Sequence, residues 1–366
     1  MELNKLPSSL AVVREQVELW EASRLSPHAT LSEKTQGRFE PEPLDDLRTE
    51  FQRDRDRVIH TNAFRRLKHK TQVFIAPIGD HFVTRLTHTL EVTQIARTIA
   101  RALRLNEDLV EAAALGHDVG HTPFGHVGEQ VLDRIHPGGF RHNEQSLRTV
   151  DVLEKDGAGL NLTHETREAI LHHSKPRGDF LSAVELDQLT LEAQVVRVSD
   201  AIAYLAHDIG DAIRAGVLGE SDLPPDAREI LGTRHSQRLD AMVRDVVTAS
   251  WPAAGYEGND ARQRPRLTMS GEVNHAVTAL REFMFDHVYM PAGGGAEGKN
   301  ARVVVEFLYE YFSKHPDEIP ERYFLEGEPL SRVAVDYIAG MTDQFALHTA
   351  EGLRPGIASA VFLGRV

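Results

Sequence analysis

The chain has 366 residues, room for one large domain or two modest ones and for a core that needs no covalent staple. Lysine and arginine number 41 against 55 aspartates and glutamates, and the resulting charge of −14 counts against a dedicated duplex-DNA binder with a basic face. Cysteine is absent, which excludes disulfides, thiolate zinc sites and cysteine nucleophiles, and no apolar run reaches the ~18 residues of a membrane span.

Helical periodicity dominates from the start. The longest apolar run of Met1–Trp20 is Leu10-Ala11-Val12-Val13, too short for an export signal, so a cytoplasmic protein without membrane attachment is expected. Ser9–Arg24 and Asp46–Lys70 read as helices. Gln72–Ile75 and His81–Val83 flank a Pro-Ile-Gly-Asp turn and predict one short β-hairpin. From Thr84 to Leu105, Leu86, Leu90, Ile95, Ile99 and Leu103 recur at helical spacing. Asn106 then caps a helix through Leu115, with Glu107 and Asp108 suited to the positive end of its dipole. Glycine-rich Gly116–Gly125 stops that helix, Pro123 opens the next over Phe124–Ile135, and Pro137-Gly138-Gly139 closes it. Further helices are expected over Asn143–Lys155, His164–His173, Leu191–Ala215, His235–Trp251, Ser270–Tyr289, Ala301–Lys314 and Arg332–Leu353. The fold class is all-α. A soft boundary at Gly216–Pro225 divides a histidine-rich part from a plainer C-terminal helical part, giving segments 1–52, 53–215 and 216–366.

Two local patterns are decoys. Gly293-Gly-Gly-Ala-Glu-Gly298-Lys299-Asn300 approaches the phosphate-loop pattern, but Asn300 lacks the hydroxyl that would hold Mg²⁺ and no strand precedes it. It reads as a flexible loop between helices. Arg48–Lys70 carries eight basic and three acidic residues, yet alternation such as Arg53-Asp-Arg-Asp-Arg57 reads mostly as a solvated helix face.

Thirteen of the 19 histidines fall between His60 and His207. His88, the adjacent His117-Asp118 and Asp200 offer two imidazoles and two carboxylates, a donor set suited to a divalent ion: Mg²⁺ or Mn²⁺ first, with Fe²⁺, Ni²⁺ or Zn²⁺ in reach. Gly116 and Gly120 leave room for an ion beside His117 and Asp118. His121, His126 and Glu129 follow at once. His172-His173 ends a helix, where imidazoles suit the dipole; a substrate role is the minor alternative.

Five ordered strings carry a resemblance: Phe64-Arg-Arg-Leu-Lys-His-Lys-Thr-Gln-Val-Phe74, Thr84-Arg-Leu-Thr-His-Thr-Leu-Glu-Val92, Gly116-His-Asp-Val-Gly-His-Thr-Pro-Phe-Gly-His-Val-Gly-Glu129, Phe140-Arg-His-Asn-Glu-Gln145 and Asp200-Ala-Ile-Ala-Tyr-Leu-Ala-His-Asp208. Together they resemble the dGTPase branch of the HD metal-dependent phosphohydrolases, strongly over Arg53–Ala212 and more loosely at Asp336–Asp343. The resemblance implies an HD-domain helical fold with a C-terminal helical extension. It also implies cleavage of a dNTP into deoxynucleoside and tripolyphosphate, with His88, His117, Asp118 and Asp200 holding the metal. It makes His126 the candidate proton donor to the leaving 5′-oxygen, Glu129 its partner, and His121 and His142 phosphate contacts. Which histidine donates the proton stays open, and His142 is carried as catalytic. Arg85 matches a phosphate-binding arginine, while Tyr204, Asp208 and Gln72 match positions at the sugar. One departure stands out: the vertebrate relative has a lysine directly after the fourth metal ligand, and this chain has Ala201. The missing phosphate contact then falls to Arg66 or Lys70.

The resemblance further implies a homo-oligomer, a hexamer or tetramer, with dNTP activators and weak single-stranded nucleic-acid binding in reach. The competing readings are another HD nucleotidase or phosphodiesterase, or a nucleotide-sensing or nucleic-acid-binding protein whose HD site does not turn over.

Overall fold

The computed structural model describes residues 11–73, 75, 83–174, 188–255 and 265–358, and the regular elements among them are all helical. The hairpin expected over Gln72–Ile75 and His81–Val83 lies largely outside the described residues. Its flanks meet in one antiparallel bridge between Thr71 and Thr84.

The fold is built around α5 (Glu107–Gly116), whose alanines let neighbouring helices approach closely. Asn106 caps it as expected, its side-chain oxygen accepting from the N–H of Asp108 at 3.1 Å and of Leu109 at 3.3 Å. Ala112, Ala113 and Ala114 are fully buried. Against α5 pack α2 (Glu50–Ile59), α4 (Arg85–Leu103), α8 (His164–Leu171) and α9 (Leu191–Arg214). A Cβ on Gly116 would come within 2.6 Å of Ile170 Cδ1, so glycine there lets α8 cross at this distance. Because α4 and α9 also touch each other, the three helices bearing the histidine and aspartate motifs are mutual neighbours.

Two apolar clusters hold this arrangement. The larger runs from Val58 through α4, α5 and α9 to α10 (Pro225–Leu231), α11 (His235–Ala249) and α12 (Gly271–Met284). The smaller joins α6 (His126–Ile135) and Phe140 to α14 (Ala296–Lys314), α15 (Leu330–Ala339) and α16 (Asp343–Leu353). Fully buried residues such as Ile99 and Leu109 are each worth about 2–5 kcal/mol against truncation to alanine. The helix α1 (Ala11–Arg24) is tied down by Glu21, which accepts from the backbone N–H and hydroxyl of Ser32.

Several expected helices are interrupted. Asp46–Lys70 is not one helix: α2 ends at Ile59 and α3 (Asn62–Arg66) restarts with the Thr61 hydroxyl accepting from Phe64 N–H. Glu154 meets the new amino end, accepting from the N–H groups of Asn62 and Ala63. Pro123 does not open α6. Phe124 and Gly125 take positive φ of 60° and 57°, and the helix begins at His126. Arg332–Leu353 splits into α15 and α16, with Thr342 capping the second. α7 (His142–Arg148) and α12 each run into a π-helical turn, Thr149–Leu153 and Phe285–Tyr289. Gly293–Asn300 is not a loop but the end of α13 (Met290–Gly294) and the first turn of α14. No helix among the described residues is long and apolar enough to cross a membrane.

Candidate active site and metal centre

His88 sits one turn into α4, His117 caps the end of α5 with Asp118 directly after it, and Asp200 lies midway along α9. The packing of these helices brings the four side chains together. Asp200 Oδ1 is 3.1 Å from His88 Nε2 and 3.9 Å from His117 Nε2, and Asp118 Oδ2 is 3.7 Å from His117 Nε2. Donor atoms of His88, His117 and Asp118 all lie within 4.8 Å of one another.

The second nitrogen of each imidazole shows how the set is oriented. His117 Nδ1 is 2.7 Å from the carbonyl oxygen of Ala114, which only accepts, so the proton sits on Nδ1 and the Nε2 lone pair is presented to the carboxylates. That Nε2 is buried without a hydrogen-bond partner. His88 Nδ1 is engaged by His207 Nε2 at 2.7 Å. A buried, unpartnered imidazole nitrogen facing two carboxylates is what a divalent cation satisfies, and the outer hydrogen bonds are those that orient metal-binding histidines. The residues present therefore fit a cation held by His88, His117, Asp118 and Asp200.

A second group of imidazoles adjoins the first through Asp118. Glu129 Oε1 accepts from His142 at both its backbone N–H (2.8 Å) and Nδ1 (2.7 Å), and Glu129 Oε2 is 3.2 Å from Nδ1 of the exposed His126. Burial pushes the His142 pKa down, but the Glu129 carboxylate outweighs it and the net shift is upward. Burial would raise Glu129, and His142 with its neighbouring imidazoles instead holds it well below the usual carboxylate range. His121 is fully buried and stacks on His142 with ring centroids 4.8 Å apart; neither of its ring nitrogens has a hydrogen-bond partner. Burial, with Arg85 adding to it, drives the His121 pKa well below 6.5.

Both groups face a cavity of about 890 Å³ whose walls include Gln72, Arg85, Phe124, Tyr204, Arg281 and Tyr289. Arg85 donates through Nη1 to Asp118 Oδ2 at 2.5 Å, while its buried Nε and Nη2 have no hydrogen-bond partner. Gln72 Oε1 is likewise buried and unpartnered. The Tyr204 ring lies 5.1 Å from Tyr289 and 6.2 Å from His126. Asp208 is not among the cavity-lining residues. It is fully buried, with one oxygen 2.9 Å from His207 Nδ1 and the other accepting from Tyr289 OH at 2.8 Å.

Neither Lys70 nor Arg66 supplies the phosphate contact left open by Ala201. Lys70 is buried with its ammonium donating to the carbonyl oxygens of His121 (2.5 Å) and Ala339 (2.8 Å), and Arg66 points toward Glu154, away from this cavity. The basic face of α2 is satisfied internally, since Arg48, Arg53, Arg55 and Arg57 all pair with Glu42, Asp45, Glu50 or Asp56. Three side chains enter the site to which the sequence motifs assign no role. His173 Nε2 is 3.2 Å from His142 Nε2, and its ring packs 4.9 Å from that of His117. His207 backs His88, and Tyr289 arrives on the π-helical turn after α12. The pair His172-His173 and the place of His207 inside the Asp200–Asp208 string were the signals available.

Known proteins place the chain in a family. Residues 85–205 match the HD domain and residues 267–351 the phosphohydrolase-associated domain. The chain is 53% identical to a deoxyguanosinetriphosphate triphosphohydrolase-like protein of Caldanaerobacter subterraneus subsp. tengcongensis, over 92% of this chain and 94% of that one. Proteins of the same description from Clostridium perfringens and Geobacter sulfurreducens are 47% and 41% identical, covering 91% and 89% of this chain and 95% and 94% of theirs. The crystal structure of a phosphohydrolase from Bacteroides thetaiotaomicron superposes with a TM-score of 0.50 at 17% identity, over 84% of this chain and 71% of that one, a likeness of fold.

Proposed function

The chain belongs to the deoxyguanosinetriphosphate triphosphohydrolase-like family of HD-domain phosphohydrolases, and from that premise we propose that it hydrolyses deoxynucleoside triphosphates, dGTP among them, to deoxynucleoside and tripolyphosphate. One observation carries the reading. His88, Asp118 and Asp200, three of the four residues that fit a cation, line the same cavity as a buried guanidinium, Arg85, that keeps Nε and Nη2 unpaired. A triphosphate brings about four negative charges into a site already holding carboxylates, and unpaired buried N–H groups are strong partners for them.

When bound at His88, His117, Asp118 and Asp200, a divalent cation supplies Lewis acidity and an acidified water. The remaining work falls to the protein's own side chains. Arg85 and a ring N–H of the otherwise unpartnered His121 bind phosphate oxygens. His142, whose protonated form the Glu129 carboxylate favours, lies beside them. Water attacks the α-phosphorus, the bond from phosphorus to the 5′-oxygen breaks, and His126 gives that oxygen its proton, oriented by Glu129. Tyr204 packs against the sugar, where contact with the 2′ carbon leaves no room for a ribose hydroxyl, and Gln72 supplies a polar contact. The proposed assembly is a homo-oligomer, hexamer or tetramer, to be tested by light scattering.

The test is incubation of the protein with the four dNTPs and ATP in Mg²⁺ or Mn²⁺ and mass-spectrometric identification of products. Tripolyphosphate with deoxynucleoside supports the reading. Stepwise release of phosphate, or ATP cleaved as readily as dGTP, would replace it with a different HD nucleotidase; no turnover under any divalent ion would leave a sensor.

A further inference from the structure

Asp343 opens α16, far from the metal ligands in sequence, yet its two oxygens reach segments on both sides of the cavity. Oδ2 accepts from the backbone N–H of Thr71 at 3.0 Å, and Oδ1 from that of Phe124 at 2.9 Å. Thr71 precedes Gln72, and Phe124 lies two residues before His126. Those segments press on each other at Gly125, where an added Cβ would stand 3.1 Å from Gln72 O and 3.3 Å from Arg85 Nη2. Phe124 holds a positive φ of 60°, uncommon for a bulky side chain, and it is Asp343 that receives its N–H. The rest of the rim is bound into the same frame: Arg85 N–H donates to Lys70 O at 3.2 Å, and the Lys70 ammonium bridges His121 O and Ala339 O.

We propose that Asp343 is a positioning residue for the hydrolytic reaction: it joins the Thr71–Gln72 and Phe124–Gly125 segments and so sets where His126 and Gln72 meet the substrate. The C-terminal helices are thereby part of the reaction's scaffold as well as of the core. Asp343 touches none of the four metal ligands in its hydrogen bonds, so its effect falls on proton delivery and not on cation binding. This rests on the proposed role of His126.

The test compares Asp343→Ala and Asp343→Asn with the parent on two leaving groups. One is the deoxynucleoside of a dNTP, whose alkoxide needs a proton; the other is 4-nitrophenolate from bis(4-nitrophenyl) phosphate, which needs none. Metal content and helical content are measured alongside. A displacement of His126 by an ångström predicts a fall in kcat on dNTP of roughly 100-fold for Asp343→Ala, with cleavage of the aryl ester near the parent's and metal content unchanged. Asp343→Asn, which keeps one acceptor oxygen, recovers part of the loss. Parent-like kcat on dNTP, an equal loss on both substrates, or loss of metal would each overturn the proposal. Should the parent itself cleave no dNTP, the substrate reading fails separately, and the Asp343 comparison is read on an alkyl phosphoester that the parent does hydrolyse.

Discussion

His207 Nε2 meets His88 Nδ1 at 2.7 Å, and on its far side His207 Nδ1 lies 2.9 Å from Asp208, whose other oxygen takes the hydroxyl of Tyr289. A line of close polar contacts therefore runs from His88, one of the residues proposed to hold the cation, to a tyrosine on the cavity wall. It is hydrogen-bonded between His88 and His207 and between Tyr289 and Asp208, and joined between them by the charged contact of His207 with Asp208. Partners of this kind fix the tautomer of a ligating imidazole, and their loss costs about 10–100-fold in metal affinity. His207→Ala is expected to weaken Mn²⁺ binding by that factor in a metal titration while the helical content stays at the parent's level.

Removing a ligand and removing the proton donor have different signatures. His117→Ala and Asp200→Ala are expected to lose bound metal and turnover together, read by elemental analysis and product release. His126→Ala keeps its metal and loses roughly 10²–10⁴ in kcat, the range of general acid catalysis. Parent-rate turnover by His126→Ala would remove it from the mechanism.

Gly120 is a steric requirement of the loop between α5 and α6. A Cβ there would lie 2.2 Å from Ser146 N and 2.3 Å from Gln145 C, both backbone atoms, and Gly120 N–H itself donates to the Ser146 hydroxyl. Gly120→Ala is expected to cost at least the ~1–3 kcal/mol typical of overpacking, measurable as a lowered urea midpoint, and to reduce turnover because His121 and Asp118 flank it.

Acid should loosen the tie between residues 38–53 and Asn161. A hydrogen bond from Arg57 lowers the Glu42 carboxyl to about 2 against the opposing effect of burial, and Asn161 adds to the lowering. The folded pKa is depressed below the ordinary 4.5, so this stabilisation is fully present above 4.5 and disappears as pH falls through about 2. Glu42→Gln should be less stable than the parent at neutral pH, and the gap should close between pH 4.5 and 2 in denaturant titrations.

The residues proposed to hold the cation stand out in the sequence because chemistry and spacing coincide locally: an adjacent His-Asp between glycines, and an aspartate on a strongly periodic helix. Boundaries were harder wherever a remote side chain decides them. Periodicity carries Asp46–Lys70 through as one helix, and nothing near Thr61 announces that Glu154, about 90 positions on, caps a new start. His207 and Tyr289 escaped for a related reason. Each acts on another side chain, and although His207 stands inside the Asp200–Asp208 string, only the packing of α9 against α4 and the π-helical turn after α12 give them a role. Asp208 shows the converse: its register on α9 beside Tyr204 was legible, whereas its burial behind the cavity wall was not.

The bond from Phe124 to Asp343 spans 219 positions, and that from Lys70 to Ala339 spans 269. A ribosome adding about 5–20 residues per second needs roughly 14–55 s to travel from Lys70 to Asp343, the first and last of these partners. From Asp200 onward in that interval the nascent polypeptide carries all four residues proposed to hold the cation but lacks the braces from Ala339 and Asp343. The proposed activity thus waits on residues 339–343, so a product terminated before them would keep the proposed cation-binding residues without their braces.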